Sequence, residues 1–310
     1  MSTSDGVQVT EVASAHLLGI AGKLRALGRQ ISPSVLQEVR SLYAPLLLQQ
    51  SSNADSVVSR DVPYGPHARH RLNIFSPRTA ASAGDVMLFV HGGGFMTGDK
   101  EEVPNVFFDN VGRWAAINGI VGLTINYRLA PDHPWPAGSE DVAAAVAWAR
   151  GAVDHYGGNP ERIFLMGHSA GAAHVAGFLA DPRLWANESP GVAGCVCVSG
   201  VYDLNVRPVS TAYFGTDESL YASRSPLAGL ARSAVPLLVT VAENDPEMIQ
   251  RHALSLLSRC LEEKKSLPKL SQICDHNHFS TLLHLNSPDH SLADPLLRFI
   301  HETGSLPYTA

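Results

Sequence analysis

Apolar positions along this chain follow three rhythms. Near the start they recur every three or four residues: HLLGIAGKLRALG sets Leu17, Ile20 and Leu24 on one face, and PSVLQEVRSLYAPLLL sets Val35, Val39, Leu42 and Leu46 on another, which predicts two helices. SSNADS then reads as a loop, and from about residue 57 short apolar runs take over. RLNIF, VMLFVH, GIVGLTINY, RIFLMG, GCVCVSG, PLLVTVAE and KLSQICD read as seven strands. Between them EDVAAAVAWARGAVDHY, SAGAAHVAGFLA and PEMIQRHALSLLSRCLEE are each long enough for several helical turns. Near-continuous apolar strands alternating with helices predict an α/β protein, with a mainly parallel sheet covered by helices on both faces. The third rhythm is none at all: Asn205 to Ser233 is rich in Ser, Tyr, Arg and Pro without a period, as in lids and binding loops.

Length and composition narrow this further. With 310 residues and 45% apolar content the chain can bury a large core as one domain or two, and the unbroken strand–helix alternation favours one. The expected division is an N-terminal helical cap segment over 1–56 and a catalytic domain over 57–310, the latter carrying an irregular cap or lid insert at about 205–233. The same amino-terminal helices suit a homodimer face equally well, because apolar caps and oligomer faces look alike in sequence. A net charge of −6 without a Lys/Arg run argues against nucleic acid and against an electrostatic membrane anchor, and leaves a small neutral or weakly charged ligand. MSTSDGVQVTEV is acidic and polar where a secretory signal would be basic and then apolar, and no stretch approaches a membrane span, so a soluble, cytoplasmic protein is expected.

Four cysteines (Cys195, Cys197, Cys260, Cys274) lack zinc-site spacing and read as reduced thiols, Cys195 and Cys197 sharing one face of a strand. There are 14 histidines but no HExxH, so no metal is expected.

The chemistry centres on Gly167-His168-Ser169-Ala170-Gly171, a G-x-S-x-G between an apolar strand and a small-residue helix. A sharp strand-to-helix turn would present the Ser169 hydroxyl at the carboxyl end of the sheet, with glycines where side chains would collide. The helix that follows aims its first N–H groups at the same place. The competing reading is an ordinary N-cap serine. Upstream, His91-Gly92-Gly93-Gly94 follows a strand, where the N–H groups of Gly93 and Gly94, joined by Ala170, could hold an oxyanion. The rival reading is a phosphate-cradling loop, but neither G-x-x-x-x-G-K-[ST] nor G-x-G-x-x-G with an acid after the next strand is present.

A serine needs a base and the base a carboxylate, in the chain order Ser, acid, His. PLLVTVAENDPEMI offers Asp245 just past a strand end, with Glu243 as the understudy and Glu247 as a first-turn helix carboxylate. SQICDHNHFSTLLH offers His278, with His276 and His284 as alternatives, while His91, His168 and His174 read as packing residues. Phe95, Tyr202, Tyr213 and Phe214, with Trp135, are candidates for an apolar substrate pocket.

These motifs together resemble the α/β-hydrolase superfamily, and within it the esterases related to hormone-sensitive lipase, over about residues 60–302. HGGGF and GHSAG are similar to that group's oxyanion and nucleophile motifs, and YRLAPDHPWPAGSED to its YRLAPE…FPA…D block. His168 and Ala172 stand where that branch usually has aspartate and glycine, and GHSAGAAH, SGVYDL and SRSPL look more like the arylformamidase branch. The resemblance implies Ser169, Asp245 and His278 as the triad, Gly93, Gly94 and Ala170 as the oxyanion hole, and hydrogen-bonding work for Arg128 and Asp141 in the loops. It implies a serine carboxylesterase acting on small to medium esters without metal or organic cofactor. An arylformamidase cleaving N-formylkynurenine and a non-catalytic receptor on the same fold are the rivals.

Overall fold

The computed structural model describes residues 17–51, 56–79 and 83–304. The polar start MSTSDGVQVTEV and most of the SSNADS loop lie outside the described residues. Helix α1 covers 17–27 and α2 Pro33–Ser51, followed by β1 Ser56–Pro63, β2 Arg71–Pro77, β3 Gly84–Val90, α3 Asp109–Ile117 and β4 Val121–Ile125. Next come α4 Ala137–Ala152, β5 Gly158–His168, α5 Ala170–Ala180 and β6 Gly194–Val198. The short helices α6 Thr211–Phe214, α7 Tyr221–Arg224 and α8 Leu227–Arg232 precede β7 Leu237–Asn244, α9 Glu247–Lys264, β8 Lys269–Asn277, α10 Ser280–Leu283 and α11 Ala293–Gly304.

The strands form one sheet of eight in the order β1-β2-β4-β3-β5-β6-β7-β8. Only β2 pairs antiparallel with its neighbours β1 and β4; every pairing from β4 to β8 is parallel. Side chains alternate between two cores as strand geometry requires. From β3, Val86, Leu88 and Val90 join α4 and α5 on one face, while Met87 and Phe89 join α1, α2, α3 and α11 on the other. Cys195 and Cys197 share the first face and Val196 and Val198 the second, and all four cysteines are free thiols.

The sequence reading misses β1, whose run SVVSRDVP has Arg and Asp inside it and leaves Val57 exposed, the pattern of a blunted sheet edge. The buried stripe of α2 is Val35, Val39, Tyr43 and Leu47, with Leu42 and Leu46 only flanking it, because a four-residue period carries the core contact to the ring of Tyr43. In α1, Ile20 and Leu24 are buried and Leu17 half-buried. The amino-terminal helices share their core with Met87, Phe89 and Leu296. The segment expected to be irregular contains α6 to α8, and its later part turns inward, Leu230 and Ala231 packing under the sheet against α5 and α9. No described helix is long and apolar enough to cross a membrane.

Candidate active site

Strand β5 ends at His168 and α5 starts at Ala170, so the whole reversal falls on Ser169, held at φ 55°, ψ −118°. That conformation is costly for a residue with a Cβ and is tolerated where surroundings over-determine it. The N–H of Ser169 is tied to Val198 O of β6 at 3.0 Å. Both flanking glycines are required by close approach. A Cβ on Gly171 would sit 2.1 Å from Val90 O of β3, and one on Gly167 would sit 2.6 Å from the Ala172 nitrogen. The Ser169 side chain makes no capping hydrogen bond to α5. It turns instead to His278.

Ser169 Oγ lies 3.0 Å from His278 Nε2, and His278 Nδ1 lies 2.8 Å from Asp245 Oδ1. A carboxylate only accepts, so the His278 proton is on Nδ1 and Nε2 presents its lone pair to the serine. The other oxygen of Asp245 accepts from Ser199 Oγ at 2.6 Å and from the Ala242 N–H at 2.7 Å. Asp245 is fully buried and three donors converge on it, which fixes its orientation. His278 stands just beyond β8 and is steadied by His168, whose Nε2 donates to His278 O at 2.9 Å with the rings 4.9 Å apart. Burial, with His278 nearby, draws the pKa of His168 down to about 3, so this neighbour is neutral. Such a chain can take a proton from the serine hydroxyl and return it.

Gly93 and Gly94 lie in the loop after β3 with φ of 132° and 59°, and a Cβ on Gly93 would meet Thr97 O at 1.9 Å. The N–H groups of Gly93, Gly94 and Ala170 have no acceptor among the described residues. All three residues border the same cavity as Ser169 and His278. His91 sits behind this loop, stacked on Tyr127 at 4.4 Å, with its Nδ1 donating to Gly92 O. Burial takes its pKa to about 4. Asp141 holds the adjoining segment by accepting from the Arg128 N–H at 2.6 Å, from Arg128 Nε at 2.8 Å and from His70.

The cavity measures about 570 Å³ and is chiefly apolar. Phe95 and Phe214 line it as expected; Tyr202 and Tyr213 do not. Tyr213 stacks behind Phe95 at 4.7 Å, its hydroxyl near Gly138 and His174, and Tyr202 is sealed in the core against Gly200. Both are too deep to face the cavity: the Tyr213 hydroxyl accepts from the Gly138 N–H, and the ring of Tyr202 is enclosed, its hydroxyl without a hydrogen-bond partner among the described residues. Trp135 is likewise off the wall, beneath the guanidinium of Arg224. The wall residues missed in the sequence are Val201 and Leu204 from the loop after β6, Met248 and His252 from the first turns of α9, Leu36 from α2 and Ile31 just before it. For Val201, Leu204, Met248 and His252 the position just past the carboxyl ends of β6 and β7 was the available signal; Ile31 and Leu36, ahead of every strand, carried none.

The alternative acids and bases have other work. Glu243 accepts from the Asp275 N–H at 2.7 Å, and Glu247 pairs with Arg251 on the surface of α9. His276 and His284 lie with Asp289 and Ser291 in a separate cluster: His276 Nε2 is 3.1 Å from Asp289 Oδ2, and His284 Nδ1 donates to Ser280 O at 2.7 Å. Those two imidazoles and the carboxylate are close enough to hold a metal ion. Yet His284 Nε2 already accepts from the Leu292 N–H, His276 Nδ1 meets Ser280 Oγ, and Ser291 Oγ bridges the three. Each lone pair and proton there has a protein partner, as in a bracing network behind the His278 loop.

A nucleophile-bearing strand–turn–helix at the carboxyl edge of such a sheet, with acid and imidazole from later strands, defines the architecture of the alpha/beta hydrolases. A model of the alpha/beta hydrolase fold matches residues 87–264, more than half of the chain, and the protein belongs to this family. It is 30% identical over 209 residues to esterase LipQ of Mycobacterium tuberculosis, covering 60% of this chain and 48% of that one. It is 26% identical over 292 residues to the kynurenine formamidase of Salmo salar, covering 88% and 95%. The chain spans about half the length of the mycobacterial esterases it matches. Among solved structures, the hyperthermophilic esterase of Pyrobaculum calidifontis superposes with TM-score 0.65 at 20% identity, covering 93% of this chain and 97% of that one.

Proposed function

We propose that this protein is a serine carboxylesterase that hydrolyses uncharged small to medium esters through an acyl-enzyme. The observation that carries this reading is the unbroken hydrogen-bonded chain Ser169–His278–Asp245 opening on an apolar cavity. Ser169 Oγ attacks the ester carbonyl while His278 Nε2 takes its proton, and Asp245 faces the imidazolium that forms. The carbonyl oxygen becomes an anion, stabilised by the free N–H groups of Gly93, Gly94 and Ala170. His278 returns the proton to the departing alcohol, and water then repeats the sequence on the acyl-enzyme. The start of α2 with the residues just before it, and the stretch around Val206–Phe214, act as the cap, since Ile31, Leu36, Val206, Val209 and Phe214 all border the cavity.

The likeness to a kynurenine formamidase along nearly its full length supports a second reading, amide cleavage of N-formylkynurenine by the same residues. That substrate carries an ammonium and a carboxylate. The described cavity wall has no Lys or Arg to meet the carboxylate, and its one acid, Glu102, is already paired with Arg40. Burying an unpaired carboxylate there is costly, which favours the uncharged ester. Comparing kcat/KM for p-nitrophenyl acetate, butyrate and hexanoate with that for N-formylkynurenine tests the choice. Preference for the esters is expected; strong preference for the formamide would replace the first reading by the second. Failure of a fluorophosphonate probe to label Ser169 would point to a receptor instead.

A further inference from the structure

Two imidazoles on the described cavity wall keep a buried nitrogen without a partner: His168 Nδ1, an acceptor because Nε2 carries the proton given to His278 O, and His252 Nε2. His252 projects from α9 beside Met248 and Ile249, and all three border the cavity. Its Nδ1 accepts the backbone N–H groups of Asp203 at 3.2 Å and Tyr202 at 3.4 Å. A ring nitrogen that accepts must carry a lone pair, so the proton of the neutral ring sits on Nε2. Burial lowers its pKa to about 4 against a smaller opposing pull from Asp203, so the ring is neutral at neutral pH. His252 is 1% exposed, and its Nε2 has no hydrogen-bond partner among the described residues. A donor stripped of water and given nothing in return destabilises the unliganded protein, and a ligand oxygen that meets it relieves that cost.

Resting on the ester reading above, we propose that His252 donates its Nε2 hydrogen to a second oxygen of the substrate. The natural substrates are then esters bearing a further neutral acceptor, such as a keto, alkoxy or acyloxy group, on the acyl or the alcohol side. Two backbone bonds fix the ring before substrate arrives, so the donor is preorganised and an analogue without the oxygen leaves it unpaired. A carboxylate suits it poorly, because the described wall has no cation to offset the charge.

Binding can be read without turnover on Ser169→Ala protein by isothermal titration with two nearly isosteric pairs. Ethyl 4-oxopentanoate against ethyl 4-methylpentanoate probes the acyl side; 2-oxopropyl butyrate against 2-methylpropyl butyrate probes the alcohol side. The oxo member of one pair should bind about tenfold tighter, the worth of one well-placed hydrogen bond. Adding His252→Phe should erase that ratio, and adding His252→Gln, which keeps a donor near Nε2, should retain much of it; a general loss of affinity cancels within each pair. Equal affinities in both pairs, measured without any change at 252, overturn the proposal, as does a preference that survives His252→Phe. Hydrolysis of the plain esters by the unmodified enzyme reports on the ester reading separately.

Discussion

Two sets of serine, histidine and aspartate lie close together in this molecule and are wired differently. In the first, Ser169 and Asp245 take opposite nitrogens of His278, so the carboxylate holds one proton while the other nitrogen is left as a base. In the second, Ser291 and Asp289 crowd the same nitrogen of His276, and Nδ1 is spent on Ser280. Asp289 also accepts directly from the Ser291 hydroxyl at 2.7 Å. Residue type and proximity are equal in the two; the assignment of protons to ring nitrogens separates a relay from a brace. Only the first set opens on the cavity.

The sharpest way to break this contrast is to cut each set at its serine. Ser169→Ala should lower kcat for p-nitrophenyl butyrate by on the order of 10⁵-fold with thermal stability unchanged. A fall below tenfold would assign the nucleophile elsewhere. Asp245→Asn removes only the acceptor that sets the tautomer of His278, and a loss on the order of 10³–10⁴-fold is expected in kcat.

Acid should then weaken the whole molecule through its idle imidazoles. Burial holds His168, His174 and His284 at about 3 and His91 and His252 at about 4, below the ordinary 6.5. The unfolded chain therefore binds more protons, so this stability is complete above pH 6.5 and is lost as pH falls towards 3. Urea unfolding at pH 7 and pH 4.5 should differ by at least about 2 kcal/mol. Burial pushes the Asp289 carboxyl up, but the hydrogen bond from His276, the neighbouring imidazoles of His284 and His276 and the hydrogen bond from Ser291 together outweigh it and hold it well below 3.8, so its share disappears only below about pH 4. The smallest effect belongs to the brace: Ser291→Ala should cost about 1 kcal/mol of unfolding free energy and leave kcat within about twofold. A large drop in kcat with stability intact would make the second set more than a support.

Much of this was legible in the chain because local geometry forced it. Gly167 and Gly171 betray the Ser169 turn, since each marks a backbone contact that no Cβ could enter. The preference for His278 over His276 had little local support in the sequence, because the two lie either side of the end of β8 and the irregular register near Asp275, whose φ is 64°, decides which of them faces Ser169. The fates of Tyr202 and Tyr213 were hidden for a related reason: an aromatic in a loop beside a site reads the same whether its ring faces the cavity or the core. Edge strand β1 escaped because its polar residues, suited to a border position, mask the alternation by which strands are found.

Helix α2 runs for 19 residues, roughly 28 Å at the usual rise. At its start Leu36, with Ile31 just ahead of the helix, borders the cavity, and farther along Tyr43 rests against the rings of His276 and His284, behind the loop that carries His278. Cavity wall and the backing of the His278 loop thus share a single beam. Exchanging that beam between relatives would retune which molecules are admitted and how briskly they are turned over, both at one stroke.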